Sequence, residues 1–522
     1  MVDGGEPSRI AAVDSAIETH KSVLHALDNS SLSGFHWKAM ITSGMGFFTD
    51  AYDLFIIGVV LAILTPLWHL GNFEISLVGS TSLIAAALGS MIFGRLADFV
   101  GRRSIYGFTL LVLAAGALAS ALSPNVVWLI IFRFILGLGI GGDYPLSATL
   151  MSEYANRRDR GKLVTMVFAM QGVGLILGPL VAIALLLAGL DHDLTWRMML
   201  ALGAVPALAT FYLRRQIAET PRFALMMQGD LEAAAATVSQ VTGQNGYGHN
   251  GAHPSALALT QQRSRPAPQS VAPNGSNSGA QKKRSWLPLL GRAPYLRWLI
   301  GTAGAWLLLD IAYYGTTISS PLVLKSLNGH SSLLLNMVYT LLIFLVAAFP
   351  GYIVAALTID RLGRRWIQCV GFAMMALAYG LLAIFPALTQ LTVPFLLVYG
   401  VSYFFTEFGP NVTTFVYPAE IFPVMIRSTA HGIAAALGKV GAFIGALIFP
   451  FLLTSFHLPG VMTFTAVISV AGLVLTLLTL PEPSGRSLEE ISGEYKLVEK
   501  EAPASSSSLL TERVAVGELL SR

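Results

Sequence analysis

The sequence predicts an all-α polytopic membrane protein: twelve transmembrane helices in two six-helix halves, with both termini cytoplasmic. Three observations carry that expectation. Of the 522 residues, 54% are hydrophobic and only 12% charged, with a mean hydropathy of +0.64, whereas an ordinary soluble protein carries roughly 25% charged residues. Long apolar runs follow one another along the chain, and one charged turn recurs at the same place in each half. So little polar material excludes a disordered chain and a set of soluble domains, and makes a lipid bilayer the surrounding partner. A formal net charge of +4 leaves no general nucleic-acid-binding surface. With Cys369 the single cysteine, an intramolecular disulfide and Cys-based metal clusters are excluded.

The polar segment 1–37 contains Asp3, Glu6, Asp14, Glu18 and Asp28. No basic stretch there leads into a short apolar region with a cleavage site, so no removable signal peptide is expected. Apolar runs lie at about 39–66, 75–96, 104–122, 126–150, 162–189 and 196–213, which make a first half over 38–213. Runs at about 297–324, 333–357, 366–387, 392–417, 428–454 and 459–480 make a second over 297–480. Spanning a bilayer takes roughly 20 residues of helix. Gly44, Gly46, Pro179, Pro350, Gly409 and Pro410 fall inside the runs, as membrane helices tolerate. The cytoplasmic connection 214–296 is rich in Gly, Ser, Asn, Gln and Pro from Gly243 to Ala280 and reads as a flexible linker or a regulatory segment. The tail 481–522 is polar, with Ser505–Ser508 reading as disordered.

Orientation follows from the short loops. Those after runs 2, 4, 8 and 10 hold eleven basic residues: Arg95, Arg102, Arg103, Arg157, Arg158, Arg160, Lys162, Arg361, Arg364, Arg365 and Arg427. The alternate loops show Lys325, and Arg197 at a helix edge. The positive-inside rule puts the basic loops and both termini in the cytoplasm.

The halves echo each other. Gly94-Arg-Leu-Ala-Asp98-Phe-Val-Gly101-Arg102-Arg103 follows run 2, and Ala356-Leu-Thr-Ile-Asp360-Arg-Leu-Gly363-Arg364-Arg365 follows run 8. Internal repeats of this kind build secondary transporters, whose halves rock around a midplane site. The turn resembles the cytoplasmic signature of the major facilitator superfamily, with Ala356 in place of the usual first glycine. Asp98 is suited to accept from helix-terminal amides and from arginines, latching the inner side of the bundle.

Seven charged residues fall deep in the runs: Asp50, Asp53, Arg133, Asp143, Asp310, Glu407 and Lys439. Each costs about 3 kcal/mol at the bilayer centre even on the lenient insertion scale, so it faces a partner or a polar cavity. Five of the seven are acidic, which suggests a proton or ion pathway. Asp50 and Asp53 share a helix face, where two close carboxylates disfavour double ionisation; pairing with Arg133 or Lys439 is a compatible structural role. Asp143, after Gly141-Gly142, belongs either to a gate or to a substrate site. Trp306, Asp310 and Tyr314 lie on one face at i, i+4 and i+8, with Tyr313 nearby. Lys439 stands in Gly438-Lys-Val-Gly441, where small residues would give its ammonium room. Gln171 and Asn411 add neutral donors, singly more often interhelical hydrogen bonds than ligands. Together these groups suit a small oxyanion. A protonated Asp310 donates to an anion and an ionised one repels it, so proton and anion would favour each other's binding.

Residues 141–161, Gly-Gly-Asp-Tyr-Pro-Leu-Ser-Ala-Thr-Leu-Met-Ser-Glu-Tyr-Ala-Asn-Arg-Arg-Asp-Arg-Gly, closely resemble the signature of the phosphate:proton symporter family of that superfamily. Thr49-Asp-Ala-Tyr-Asp-Leu-Phe55, Phe408-Gly-Pro-Asn-Val-Thr-Thr-Phe415, Pro418-Ala-Glu-Ile-Phe-Pro423 and Gly438-Lys-Val-Gly-Ala442 agree with it. The resemblance covers about 40–480. It implies a plasma-membrane symporter of inorganic phosphate and protons, with no cofactor or metal. Phosphate would be held by Tyr144, Gln171, Trp306, Asp310, Tyr314, Asn411 and Lys439. Asp50, Asp53, Asp143 and Asp310 would serve the proton route, with Arg133 as a charge partner. Asp98, Arg102, Arg103, Glu153, Asp360, Arg364, Arg365 and Glu420 would form the cytoplasmic gate.

Two related carriers compete. Glu219-Thr-Pro-Arg-Phe223 and Pro481-Glu-Pro-Ser-Gly-Arg-Ser-Leu-Glu-Glu490 resemble sugar-porter motifs, but a sugar needs no buried lysine. Aromatic-acid:proton symporters also carry paired aspartates in the first helix, without accounting for 141–161. A phosphate sensor that moves nothing is separable only by flux. An enzyme is not expected, since the sequence has neither a P-loop nor zinc-type His/Cys spacing. Oligomeric state is not legible.

Overall fold

The computed structural model describes residues 20–243, 286–318, 333–495 and 497. Asp3, Glu6, Asp14, Glu18, the Gly- and Ser-rich stretch after Gly243, Lys325 and Ser505–Ser508 lie outside the described residues. Among those described, the chain is helical and contains no strand. The first group of long helices is α1 (Gly34–Trp68), α2 (Asn72–Val100), α3 (Arg102–Ala121), α4 (Val126–Tyr154), α5 (Arg160–Leu187) and α6 (His192–Arg215). The second is α7 (Tyr295–Ile318), α8 (Met337–Leu362), α9 (Arg364–Ile384), α10 (Thr392–Thr406, a π-turn Glu407–Asn411, then Val412–Ile421), α11 (Arg427–Phe449) and α12 (Phe451–Thr479). Among the described residues ten of these, all but α7 and α10, are long and apolar enough to cross a membrane. The helical stretch carrying α11 and α12 is kinked at His457, whose φ of 55° and ψ of −177° are non-helical.

The repeated turn has the same construction twice. Gly101 joins α2 to α3 at φ 108°, and Gly363 joins α8 to α9 at φ 88°, a left-handed region that favours glycine. A Cβ would also lie 2.4 Å from Glu219 Oε2 at the first and 2.6 Å from Glu482 Oε2 at the second. Those glutamates cap the following helices. Glu219 accepts from the amides of Arg102 (3.2 Å) and Arg103 (3.3 Å), and Glu482 from those of Arg364 (3.0 Å) and Arg365 (2.9 Å). Four amides that a helix N-terminus leaves without partners are thus satisfied by acids far away in sequence.

The halves meet along two seams, α2 on α11 and α5 on α8. The first is a backbone contact: a Cβ on Gly432 would stand 2.3 Å from Ser90 O, and one on Gly94 2.6 Å from Ser428 O. The start of the connection after α6 is packed, which its polar composition hides. Helix Leu231–Thr242 begins with Asp230 accepting from the Ala233 amide at 2.9 Å and ends at Gly243, φ 70°. Its Ala234, Ala235, Val238 and Val241 are buried on one face. Asp28, ahead of α1, pairs with Arg222 at 2.6 Å.

Candidate functional site

Four helices converge on Lys439, which is 1% exposed. Its ammonium has three donors. They reach Tyr314 OH on α7 at 2.6 Å, Tyr144 OH on α4 at 2.8 Å and Asp50 Oδ2 on α1 at 3.5 Å. Tyr144 in turn donates to Asp50 at 2.6 Å. Trp306 and Asp310, each 2% exposed, stand two turns and one turn before Tyr314 on α7. Asp310 lies within electrostatic reach of Lys439 and Asp50. The wall is aromatic: Trp306 and Tyr144 have centroids 5.9 Å apart, and Phe168 stacks on Phe415 at 4.6 Å. Gly438 makes room for the indole rather than for the ammonium, since a Cβ there would lie 2.5 Å from Trp306 Cδ1.

Asp53 is bound elsewhere. Arg133 grips it bidentately at 3.1 and 3.0 Å, and also donates to Val78 O and Ser82 Oγ. Each α1 aspartate therefore has its own cation. The mutual repulsion expected from their spacing is offset by these two separate partners.

Gln171 and Asn411 belong to a second polar group. Tyr352 on α8 donates to Gln171 Oε1 at 2.9 Å and accepts from Asn411 Nδ2 at 2.9 Å; Asn411 Nδ2 also donates to Glu407. Tyr352 thereby ties α5 of one half to α10 of the other. Nothing in the sequence singles it out, because a tyrosine in an apolar run is ordinary.

Asp143 lies apart from Lys439. Its carboxylate is gripped by both terminal nitrogens of Arg214, with Nη2 at 2.9 Å. The guanidinium carbon stands 4.1 Å from the Tyr106 ring centroid. A Cβ on Gly46 would fall 1.7 Å from Asp143 Oδ2, so α1 closes directly over the pair. Sequence reading missed Arg214 because it sits just past the sixth apolar run, where a charge looks solvated.

The end bearing the basic loops is latched. Asp98 accepts from the amides of Ser428 (3.2 Å) and Thr429 (2.7 Å) and from Thr429 Oγ1 (2.6 Å), at the start of α11. Asp360 does the same for α5 through Gly161 N (3.0 Å) and Lys162 N (2.7 Å). Each half's acid thus caps a helix of the other half. Arg102 bridges Asp98 and Glu153, both at 3.2 Å, and Arg427 reaches Glu153 at 2.8 Å. In the mirrored set Arg364 bridges Asp360 and Glu420, both at 2.8 Å, and Arg160 reaches Glu420 at 3.1 Å. Neither second arginine has a salt bridge to the latch acids among the described residues. Arg365 donates to Leu477 O at 2.6 Å, and the Arg103 amide, as above, serves Glu219.

The segment after α12 seals this end. Arg222 reaches Glu489 at 2.7 Å, Arg157 reaches Gly485 O at 2.6 Å, and Glu494 accepts from the Val424 amide at 2.9 Å. Burial pushes the Glu494 carboxyl up from 4.5 to about 7. The docked segment therefore holds a proton that an undocked one releases. The contribution of Glu494 to docking is fullest below about pH 4.5, weakens as pH rises and is lost above about 7. Amide protection over 488–494, with the intrinsic base catalysis of exchange divided out, is expected to fall between pH 5 and 7.5, and Glu494→Gln to remove that dependence. A slope unchanged in the variant would assign it to another group.

The family model described as "Sugar (and other) transporter" matches residues 38–495. Among curated relatives, inorganic phosphate transporter 1-6 of Oryza sativa subsp. japonica is 37% identical, over 92% of this chain and 97% of its own length. Probable inorganic phosphate transporter 1-6 of Arabidopsis thaliana is 36% identical over 92% and 98%. Among solved structures, the proton:xylose symporter XylE bound to 6-bromo-6-deoxy-D-glucose superposes with a TM-score of 0.73 at 20% identity, covering 89% of this chain and 99% of that one. The inward-open xylose transporter XylE from E. coli gives 0.60 at 19%, covering 88% and 99%. The fold thus has counterparts among solved carriers, and the chain belongs to the sugar (and other) transporter family, together with the inorganic phosphate transporters.

Proposed function

We propose that this protein is a proton-coupled symporter of inorganic phosphate in the plasma membrane, working by alternating access. In this reading α7 and α10 also span the bilayer, giving twelve spans, and the basic end with both termini is cytoplasmic. The observation that carries the proposal is Lys439, a buried cation on α11 of one half whose hydrogen bonds reach α1 and α4 of the other. Tyr144, Tyr314, Trp306, Gln171 and Asn411 surround a small oxyanion with donors, and the aromatic wall keeps water out. Phosphate oxygens take the place of Asp50 at the ammonium. Asp50 and Asp310 then stand near an anion in a low dielectric, where each is best accommodated as the acid. Proton and phosphate therefore bind together and leave together, as a symporter requires. After release, Asp50 returns to Lys439, and the compensated pair lets the empty carrier reorient.

Opening inward requires breaking the Asp98–α11 and Asp360–α5 caps and their arginine bridges. The pairing of Arg133 with Asp53 and Arg214 with Asp143 stays within the first half, so those pairs move as part of a rigid body. Labelled phosphate counterflow in proteoliposomes, with sulfate, glucose and benzoate as competitors, tests the substrate. Exchange blocked by unlabelled phosphate alone supports the reading. Block by glucose would favour a sugar porter, and phosphate binding without exchange a sensor.

A further inference from the structure

The mechanism above leaves one buried acid unused. Glu407, wholly buried on α10, has no cation within 4 Å among the described residues. Asp50, Asp53, Asp143, Asp98 and Asp360 each have one. The groups that face it are Asp310 and Tyr313 from α7, Tyr352 from α8, Tyr379 from α9 and Asn411 one turn on along α10. All are acids, phenols or an amide.

The local backbone aims it inward. Glu407–Asn411 is a π-turn, with Gly409 at φ −103° and ψ −112° ahead of Pro410. Such a bulge inserts a residue and re-aims its neighbours, often at functional sites. It can form because Gly409 lies on Gly371 of α9: a Cβ on Gly409 would be 2.4 Å from Gly371 Cα.

Counting donors shows what Glu407 is tied to. Asn411 Nδ2 has two hydrogens; one serves Tyr352 OH and the other Glu407 Oε2. The single proton of Tyr352 serves Gln171. Asn411 and Tyr352 thus have no spare donor. A phosphate oxygen that takes an N–H from Asn411 takes it from Glu407 or from Tyr352. Deprived of Asn411, the carboxylate would be a buried anion without a cation, faced by phenol hydroxyls alone, a state relieved by taking up a proton. The new O–H has a neighbour to meet. Glu407 Oε1 and the hydroxyl of Tyr313 are both buried without a hydrogen-bond partner.

We propose that Glu407 is a second proton-carrying carboxyl, loaded when phosphate engages Asn411 and unloaded when it leaves. The inference rests on the symport reading and deepens it, adding to the Asp50–Asp310 pair a proton site in the second half. The proton comes from the outer water and goes to the inner water, and the carboxyl returns unchanged.

The test is the proton:phosphate ratio, taken from the reversal potential of phosphate flux in proteoliposomes at set pH gradients. Because it reads a ratio, a slowed variant still reports. Glu407→Gln should lower the ratio by one, and Glu407→Asp should keep the parent value. A Gln variant with the parent ratio would overturn the inference. So would a Gln variant without phosphate counterflow beside an active Asp variant of unchanged ratio and unchanged pH dependence of phosphate binding, because Glu407 would then serve only as Asn411's acceptor. Phosphate flux in the parent that ignores the proton gradient would instead sink the symport reading itself.

Discussion

Asp310→Asn is expected to lower uphill phosphate uptake steeply, by removing one coupled proton, while leaving phosphate exchange across the membrane measurable. Asparagine keeps the size of the side chain and its capacity to donate to an anion, but cannot bind and release a proton. Asp310 lies on α7 between Trp306 and Tyr314, within electrostatic reach of Lys439 and Asp50. A neutral group fixed there should allow phosphate to bind without a proton at this position, so that the gradient drives less accumulation, through the remaining carboxyls alone. The measurement is steady-state accumulation in proteoliposomes at pH 6 outside and 7.5 inside, beside counterflow at equal pH. Accumulation at the parent's level would remove Asp310 from the proton route.

Lys439→Ala should produce the largest loss of binding. Hydrogen bonds to charged groups contribute about 1.5–3 kcal/mol each, so losing the ammonium's contact with phosphate should weaken affinity by roughly 10- to 150-fold. The same change leaves Asp50 with the Tyr144 hydroxyl and no cation, so an anion would enter beside an uncompensated carboxylate. Lys439→Ala combined with Asp50→Asn should therefore recover part of the affinity, a non-additivity expected of residues in contact. Direct binding of labelled phosphate to the solubilised protein reads both variants. Equal affinity in Lys439→Ala and the parent would make Lys439 a structural partner of Asp50 and nothing more.

What the sequence makes legible is a matter of which residues stand out from their background. Charges in apolar runs do, so Asp50, Asp53, Arg133, Asp143, Asp310, Glu407 and Lys439 can be named without coordinates. Their pairing cannot. Whether Asp50 or Asp53 meets Lys439 depends on helix rotation, and a spacing of three residues leaves both possible. The repeated turn is legible because Asp98 and Arg102, like Asp360 and Arg364, stand four apart around a glycine, at the same place in each half. Glu219 and Glu482, which hold those turns, come from more than a hundred residues away. Tyr352 is hidden by being an unremarkable residue in an apolar helix, and Arg214 by standing at a helix end. The fold is more legible than the site for the same reason. Helices are written in local composition, whereas a binding site is written in contacts between segments that no local pattern relates.

The central claim is that phosphate movement is driven by protons through this bundle. It is tested most directly by labelled phosphate uptake into proteoliposomes of the purified chain, with an inward proton gradient and a protonophore control. The account predicts accumulation above the outside concentration that collapses when the protonophore is added. Uptake that only equilibrates, with or without the gradient, would contradict it.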